Sequence, residues 1–229
     1  MTAAVTFISS MATRLLLAQL GADWQQRSGR AVVIESVGGV DAARRVQAGE
    51  PFDAVVLASD AIDKLIAAGA ALAGSKVDLV RSGVAACVRA GAPRPEIATE
   101  DALRQSVLAA VSIGYSTGPS GVALMHLFER WGIAQVVSER TVQAPAGVPV
   151  GTLVARGEVA LGFQQLSELR HLEGITVIGP LPPAVQITTI FSGAVCRSAN
   201  QPDAARDLLA FMASPQTAPA KRSQGMDPA

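Results

Sequence analysis

Two adjacent hydroxyls, Ser9 and Ser10, close an apolar run in TFISSMATRL and stand directly before a helical pattern. A serine there can cap the helix, accepting a hydrogen bond from a backbone N–H that has no partner inside it. The same geometry can instead be one wall of an anion site. Similar junctions recur along the chain: SVGGVD, LASDA, YSTGPSGVA, APAGVPVG and FQQLSE. Nearly all are built from Ser, Thr, Gly and Ala just before a helix start. The first N–H groups of a helix are unpaired and carry the positive end of its dipole, so they bind an anion without Lys or Arg. Small residues let that backbone approach closely. Each junction alone is more economically an ordinary cap or turn; their number is what points to a ligand.

Competing chemistries find little to work with. His126 falls inside a helical stretch and His171 in the polar ELRHLEG segment, with no Cys, His or Asp at metal-ligand spacing, so neither metal nor cofactor is expected. YSTGPSG lacks the lysine of a phosphate-binding loop, GGVDAARR has too few glycines for a dinucleotide fingerprint, and no G-x-S-x-G elbow occurs. Arg44 and Arg45 read as an ion-paired or solvated helix face. Ser9, Ser10, Tyr115, Ser120, Gln164 and Gln165 remain as polar groups able to aim at a ligand.

Composition narrows the partners. The 229 residues are 49% hydrophobic and 17% charged, with 19 basic side chains against 19 acidic ones. No long-range field selects nucleic acid or a membrane surface. No apolar run approaches the roughly 18 residues of a bilayer span, and no signal-peptide pattern precedes the first strand. Cys87 and Cys196 both sit in strand-like runs and are either two buried small hydrophobes or a disulfide.

The elements that must position these junctions alternate between strand-like runs and helical periodicity, the pattern of an α/β fold with a largely parallel sheet. AVTFI, AVVIESV and DAVVLAS read as strands, each followed by a helix; in RLLLAQLGADWQQRSG, Leu15, Leu16, Leu20 and Trp24 mark the buried face and Gly29 the end. After RSGVAACVRAG comes a Pro-rich stretch. A second series follows, with AVSIGY, VVSERTVQ, VALGFQ and TVIGPLP as strands; QITTIFSGAVCRS returns and PDAARDLLAFMAS closes as a helix. In open α/β sheets ligands bind at the carboxyl ends of parallel strands, so several junctions can converge on one ligand.

In order and spacing, FISSMATRLL, SVGGVDAARRVQAGEPFDAVVLASDAIDKLIAAGA, GPSGVALMHLFERWGI and GVPVGTLVARGEVALGFQQLSEL resemble the periplasmic molybdate-binding proteins of ABC transporters over nearly the whole chain. AGEPFDAVVLASD is the most specific part. The resemblance implies the type II periplasmic binding-protein fold: residues 1–84 with 188–229 as one lobe, 85–187 as the other, and a ligand in the cleft between them. It implies an oxyanion held by Ser hydroxyls, backbone N–H groups and a Tyr. Transferred, these positions become Ser9, Ser10 and either Met11 or Ala12; Gly38 and Gly39; Ala58 and Ser59; Ser120; Gly147 or Val148; and Gln165 in place of the Tyr. The second loop has GG where the family has a hydroxyl. A lost hydroxyl, a lost Tyr and an added amide together suggest a larger ligand, such as a di- or tricarboxylate that Gln164 and Gln165 could reach.

Two functions follow from the resemblance. One is a solute-binding protein, monomeric and periplasmic with its signal peptide removed, whose hinge closes on the anion before delivery to an ABC permease. The other, known among relatives of this family, is an aconitate isomerase moving a proton along an allylic tricarboxylate. It needs a base, for which Asp60, Tyr115 or a serine are the candidates. A cytoplasmic sensing lobe is a third and weaker reading.

Overall fold

Along Val5–Ser10 the side chains alternate between two faces, as a strand buried on both sides requires: Val5 and Phe7 enter one apolar cluster and Ile8 another. This strand, β1, extends through both serines. In the computed structural model, which describes residues 3–229, it is followed by a 3-10 turn, Met11–Thr13, and helix α1, Arg14–Ser28. Leu16, Leu20 and Trp24 recur every fourth residue, and with Leu17 they bury the inner face of α1. Full burial of each aliphatic side chain is worth about 1.5–3 kcal/mol. Gly29, at φ 69°, ends the helix in the left-handed conformation that glycine adopts without strain.

The βα unit repeats as β2 (Val32–Val37), α2 (Gly39–Gln47), β3 (Ala54–Ala58) and α3 (Ser59–Ala67), before the long strand β4 (Val77–Arg89). Then come α4 (Glu100–Ala109), β5 (Ile113–Tyr115), α5 (Pro119–Arg130), α6 (Ala134–Val137), β6 (Thr141–Gln143), α7 (Val150–Ala155), β7 (Leu161–Gln165), α8 (Leu166–Leu169) and β8 (Ile175–Pro180). The chain finishes with β9 (Thr188–Val195), α9 (Pro202–Ala213), α10 (Ala218–Ser223) and β10 (Met226–Pro228).

These elements form two units. The first runs to Ser82 and resumes over Ile190–Ala229; the second is Gly83–Thr189. In the first, the strand order is β2-β1-β3-β9, with β10 on β4. β1 is parallel to β2 and β3, while β9 runs antiparallel to β3 and β10 to β4. In the second, β7-β5-β6 are parallel, and β4 lies antiparallel to both β7 and β8. The sheet is therefore mixed rather than largely parallel: each unit has a parallel βαβ set whose right-handed crossovers need helices, plus strands that run the other way. Helices cover both sheet faces, giving each unit two apolar clusters.

Two further readings of the sequence change. VVSERTVQ, read as one strand, is helical to Val137, turns through Ser138–Arg140 and is extended only over Thr141–Gln143. The partner strand β5 offers just three residues for a ladder, and Arg140 fixes the turn by donating to the carbonyls of Leu108 and Ala110. The disulfide alternative also falls. Cys87 and Cys196 are free, buried thiols in separate units, and burial pushes both up to about 12.

Candidate functional site

In the first unit the parallel strands β2, β1 and β3 deliver three junctions to one edge. Ser10 is in register with Val37, immediately before Gly38, and Ser9 with Val56, two residues before Ala58. Ser9 is fully buried, and its hydroxyl lies 2.8 Å from that of Ser36 and donates to the Ser10 carbonyl at 3.3 Å. It holds β1 to β2. Ser10 differs: its Oγ is buried without a hydrogen-bond partner among the described residues, and it caps nothing. Thr13 makes the local bond instead, donating to the Ser10 carbonyl at 3.2 Å. The capping explanation of Ser10 therefore fails, and a buried hydroxyl is left unmet.

Gly38 and Gly39 begin α2, and Ala58 and Ser59 begin α3; neither helix start has a side-chain cap. A methyl group at Gly39 would stand 3.7 Å from Ser10 Cβ, whereas at Gly38 it would meet nothing within 4 Å. With φ −58° and ψ 136°, Gly38 has a backbone any residue adopts. Its missing side chain opens space rather than easing a turn. Met11 and Ala12 are half-buried on the turn after Ser10. Asp60 points outward, its side chain 64% exposed and 3.6 Å from Lys64, which removes it as a base within the site. Arg44 and Arg45 serve structure. Arg44 pairs with Asp41, while Arg45 pairs with Glu35 and Glu50 and lies over the Phe52 ring at 5.2 Å.

In the second unit β6, β5 and β7 likewise bring their carboxyl ends to one edge. Tyr115 ends β5 half-buried and Gln165 ends β7. Ser120, in the first turn of α5, sits with its Oγ 3.2 Å from that of Ser116. The start of α5 presses on this loop: a Cβ at Gly121 would stand 1.8 Å from the Ser116 carbonyl oxygen. No rotamer relieves a backbone collision, so Gly121→Ala is expected to cost about 3 kcal/mol, measurable by urea denaturation. A loss under 1 kcal/mol would mean that α5 does not seat this tightly.

Gly147 is exposed with φ 79°, and Val148 is half-buried, on the loop that leads into α7. That loop is tied to β7 by Gln164. Its Oε1 accepts from the Val150 N–H at 2.7 Å, and its Nε2 donates to Glu168 Oε1 at 2.8 Å. Gln164 is thus a brace, not a ligand-reaching group. Gln165 is the reverse: 3% exposed, it donates from Nε2 to Thr189 Oγ1 at 2.8 Å and leaves its Oε1 unmet. A threonine hydroxyl both donates and accepts. Turning the amide by 180° keeps the Thr189 bond and makes the unmet group an NH₂ donor.

Glu168, Thr189 and Ser116 were not singled out from sequence. For Glu168 the available signal was its place four residues beyond Gln164 across the strand-helix junction. Burial pushes its carboxyl up to about 7, partly offset by the hydrogen bond from Gln164. This acid, partly buried and poised near neutral pH, has the character of a group that gives and takes protons. Among the described residues no three His, Cys, Asp or Glu side chains gather as a metal site, and no helix is long and apolar enough to cross a membrane.

Comparison with known proteins gives the family and the fold. An aconitate isomerase from a Pseudomonas species is 42% identical over 185 residues, which are 80% of this chain and 70% of that protein. The Azotobacter vinelandii periplasmic molybdate-binding protein superposes with a TM-score of 0.80 at 20% identity, covering 97% of this chain and 98% of that one. A sulfate-binding protein of Mycobacterium tuberculosis gives a TM-score of 0.80 at 17% identity, covering 100% and 88%. The two superpositions speak to the fold, which is the type II periplasmic binding-protein fold. The model of the bacterial extracellular solute-binding proteins matches residues 5–227, all but the two ends, and the chain belongs to that family.

Proposed function

We propose that this protein is an extracytoplasmic binder of a small di- or tricarboxylate of the aconitate class, serving an ABC permease. The observation that carries the reading is the pair of unmet buried groups, Ser10 Oγ and the Gln165 amide, at the strand ends of the two units. A native interior leaves few such groups without a partner. Uncapped starts of α2 and α3 supply further N–H donors to an anion. The space at Gly38, and an amide where the molybdate binders have a Tyr, favour a ligand larger than a tetrahedral dianion. In this reading Ser9, Met11, Gly39, Ala58, Ser59, Tyr115, Ser120, Gly147 and Val148 line or support the ligand, and Gln164 fixes the loop before α7.

A thermal-shift panel of molybdate, tungstate, sulfate, citrate, cis-aconitate and trans-aconitate tests it. A ligand at a hundred times its Kd stabilises the folded state by about 2.7 kcal/mol, roughly 5–10 °C for a chain of this size. We expect that shift with the carboxylates; a shift with molybdate or tungstate alone would overturn the carboxylate assignment. Ser10→Ala is expected to weaken binding about tenfold or more, the worth of a hydrogen bond to a charged group. Its stability should stay within about 0.5 kcal/mol of wild type, because Ser10 Oγ has no partner inside the protein to lose. Unchanged affinity would remove Ser10 from the site.

Glu168 favours a second reading, turnover, as does the relationship to an aconitate isomerase. As a carboxylate it would take a proton from the methylene carbon of aconitate. The allylic carbanion left behind is stabilised by the adjoining carboxylates, and Glu168 returns the proton to the former vinyl carbon. Bonds and protons balance, with no oxidant or metal required. Incubation with cis-aconitate followed by proton NMR tests this, and its absence would leave the protein a binder.

A further inference from the structure

A chain of hydrogen bonds with a fixed direction runs through the second unit, from the start of α7 to the acid on α8. The Val150 N–H donates to Gln164 Oε1 at 2.7 Å, and Gln164 Nε2 donates to Glu168 Oε1 at 2.8 Å. A backbone N–H can only donate, so the end of the Gln164 amide that meets it must be oxygen, and this amide cannot turn as that of Gln165 can. Gln164, 3% exposed, therefore offers Glu168 only an N–H. Glu168 Oε1 must accept, and any proton on the carboxyl sits on Oε2.

What this chain anchors is the loop of Gly147 and Val148. At one end of the loop the Ala144 N–H donates to the Tyr115 carbonyl at 2.9 Å, and at the other stands the Val150 bond to Gln164. Between them the Val148 N–H turns back to the Pro145 carbonyl at 3.0 Å, while Pro145, Ala146 and Gly147 are exposed. The second anchor is thus a bond to one side chain, and Glu168 decides what stands behind it. Ionised, Glu168 Oε1 is a charged acceptor, which takes a hydrogen bond roughly twice as strong as a neutral one and polarises the amide that holds Val150. Protonated, it is the weaker carbonyl oxygen of an acid.

The groups around Glu168 bring no competing charge. α7, β7 and β8 carry no ionisable side chain, and Cys87 of β4, in one apolar cluster with Val150 and Leu169, is a neutral thiol. Arg89, Arg156, Glu158, Arg170, His171 and Glu173 in the flanking segments are exposed. We propose that Glu168 is a positioning residue: its ionisation, passed through Gln164, firms the loop before α7 and so tightens the hold on a bound anion. This rests on the reading above in which Gly147 and Val148 line or support the ligand. It applies whether or not Glu168 also exchanges a proton with a substrate.

NMR of the isotope-labelled chain tests the relay by following the Glu168 carboxyl and the Val150 amide as pH is raised. Both should titrate together with a midpoint of about 7, the Val150 proton moving downfield as its bond strengthens. Glu168→Gln keeps the accepting oxygen and removes the titration, so its Val150 amide should stay flat. In Gln164→Met the Glu168 midpoint should rise by about one to two pH units, the loss of a hydrogen bond to a charged group. Isothermal titration with trans-aconitate should show wild-type affinity rising about threefold to tenfold through the same window, and no such rise in Glu168→Gln. A Val150 amide that ignores the Glu168 titration, or that still titrates in Glu168→Gln, would overturn the relay. Affinity that falls as pH rises would mean that Glu168 repels the anion, and would overturn its positioning role. A wild type that binds no carboxylate yet keeps the Val150 titration would overturn the carboxylate reading and leave the relay standing.

Discussion

Asp53→Ala should destabilise the protein by about 3–5 kcal/mol, the largest effect on folding expected of any single substitution considered. The carboxylate is 2% exposed and takes four donors. Oδ2 accepts from the Thr6 N–H at 2.8 Å and its hydroxyl at 3.0 Å; Oδ1 accepts from the N–H groups of Asn200 and Gln201, both at 2.8 Å. One side chain thus joins β1 to the start of α9, across nearly 150 residues of sequence, and supplies the negative charge that the helix start favours. Alanine strands all four donors. Asparagine does not rescue them: whichever oxygen becomes NH₂ then faces a backbone N–H. We expect urea denaturation to show most of the alanine loss in Asp53→Asn as well. A loss below 1 kcal/mol in Asp53→Ala would show that water replaces the carboxylate, and that this tether is dispensable.

Glu168→Gln is expected to lower any aconitate turnover by about 10²–10⁴, the usual contribution of a positioned general base, while leaving affinity within a few-fold. Glutamine keeps the oxygen that Gln164 donates to but cannot take up a proton. Its effect on stability can be read whether or not turnover occurs. The folded pKa, about 7, is raised above its ordinary value of 4.5. Between these pH values the folded state holds a proton that the unfolded state has released, so stability falls as pH rises through that window. It is fully present below about 4.5 and lost above about 7, on the order of 3 kcal/mol at most. Glu168→Gln should match wild type near pH 4.5 and exceed it at pH 8. Undiminished turnover would exclude Glu168 as the base, and parallel pH-stability curves would show that its carboxyl is solvated rather than buried.

Much of the architecture is written locally. Near-continuous apolar burial in β1 and β3, period-four burial in α1, and glycine at the end of α1 follow from steric and hydrophobic rules acting within a few residues. Those rules also bring out the βα repeats and the small-residue junctions before the helices. The junctions of each unit then share an edge because parallel strands joined by right-handed crossovers have no other arrangement. VVSERTVQ marks the limit. Its β-branched residues suit a strand, but strand length depends on how many partner residues β5 presents, and β5 presents three.

Which polar groups are free was not legible, because a side chain's sequence says what it can bond and not what stands opposite. Ser9 and Ser10 look alike in TFISS, yet alternation along β1 turns one toward Ser36 and leaves the other unmet. Gln164 and Gln165 are adjacent and identical in chemistry, but opposite faces of β7 make the first a brace for Val150 and Glu168 and the second an open amide beside Thr189. The raised acid at Glu168 is a product of enclosure by distant segments, which no local pattern encodes.

The sequence by itself determined an α/β chain of repeated strand-loop-helix units whose helix starts suit an anion, since propensity, periodicity and small residues act over short range. Only the tertiary structure decided which hydroxyl, amide and acid are left for chemistry. Burial and hydrogen-bond satisfaction depend on what the rest of the fold brings into contact.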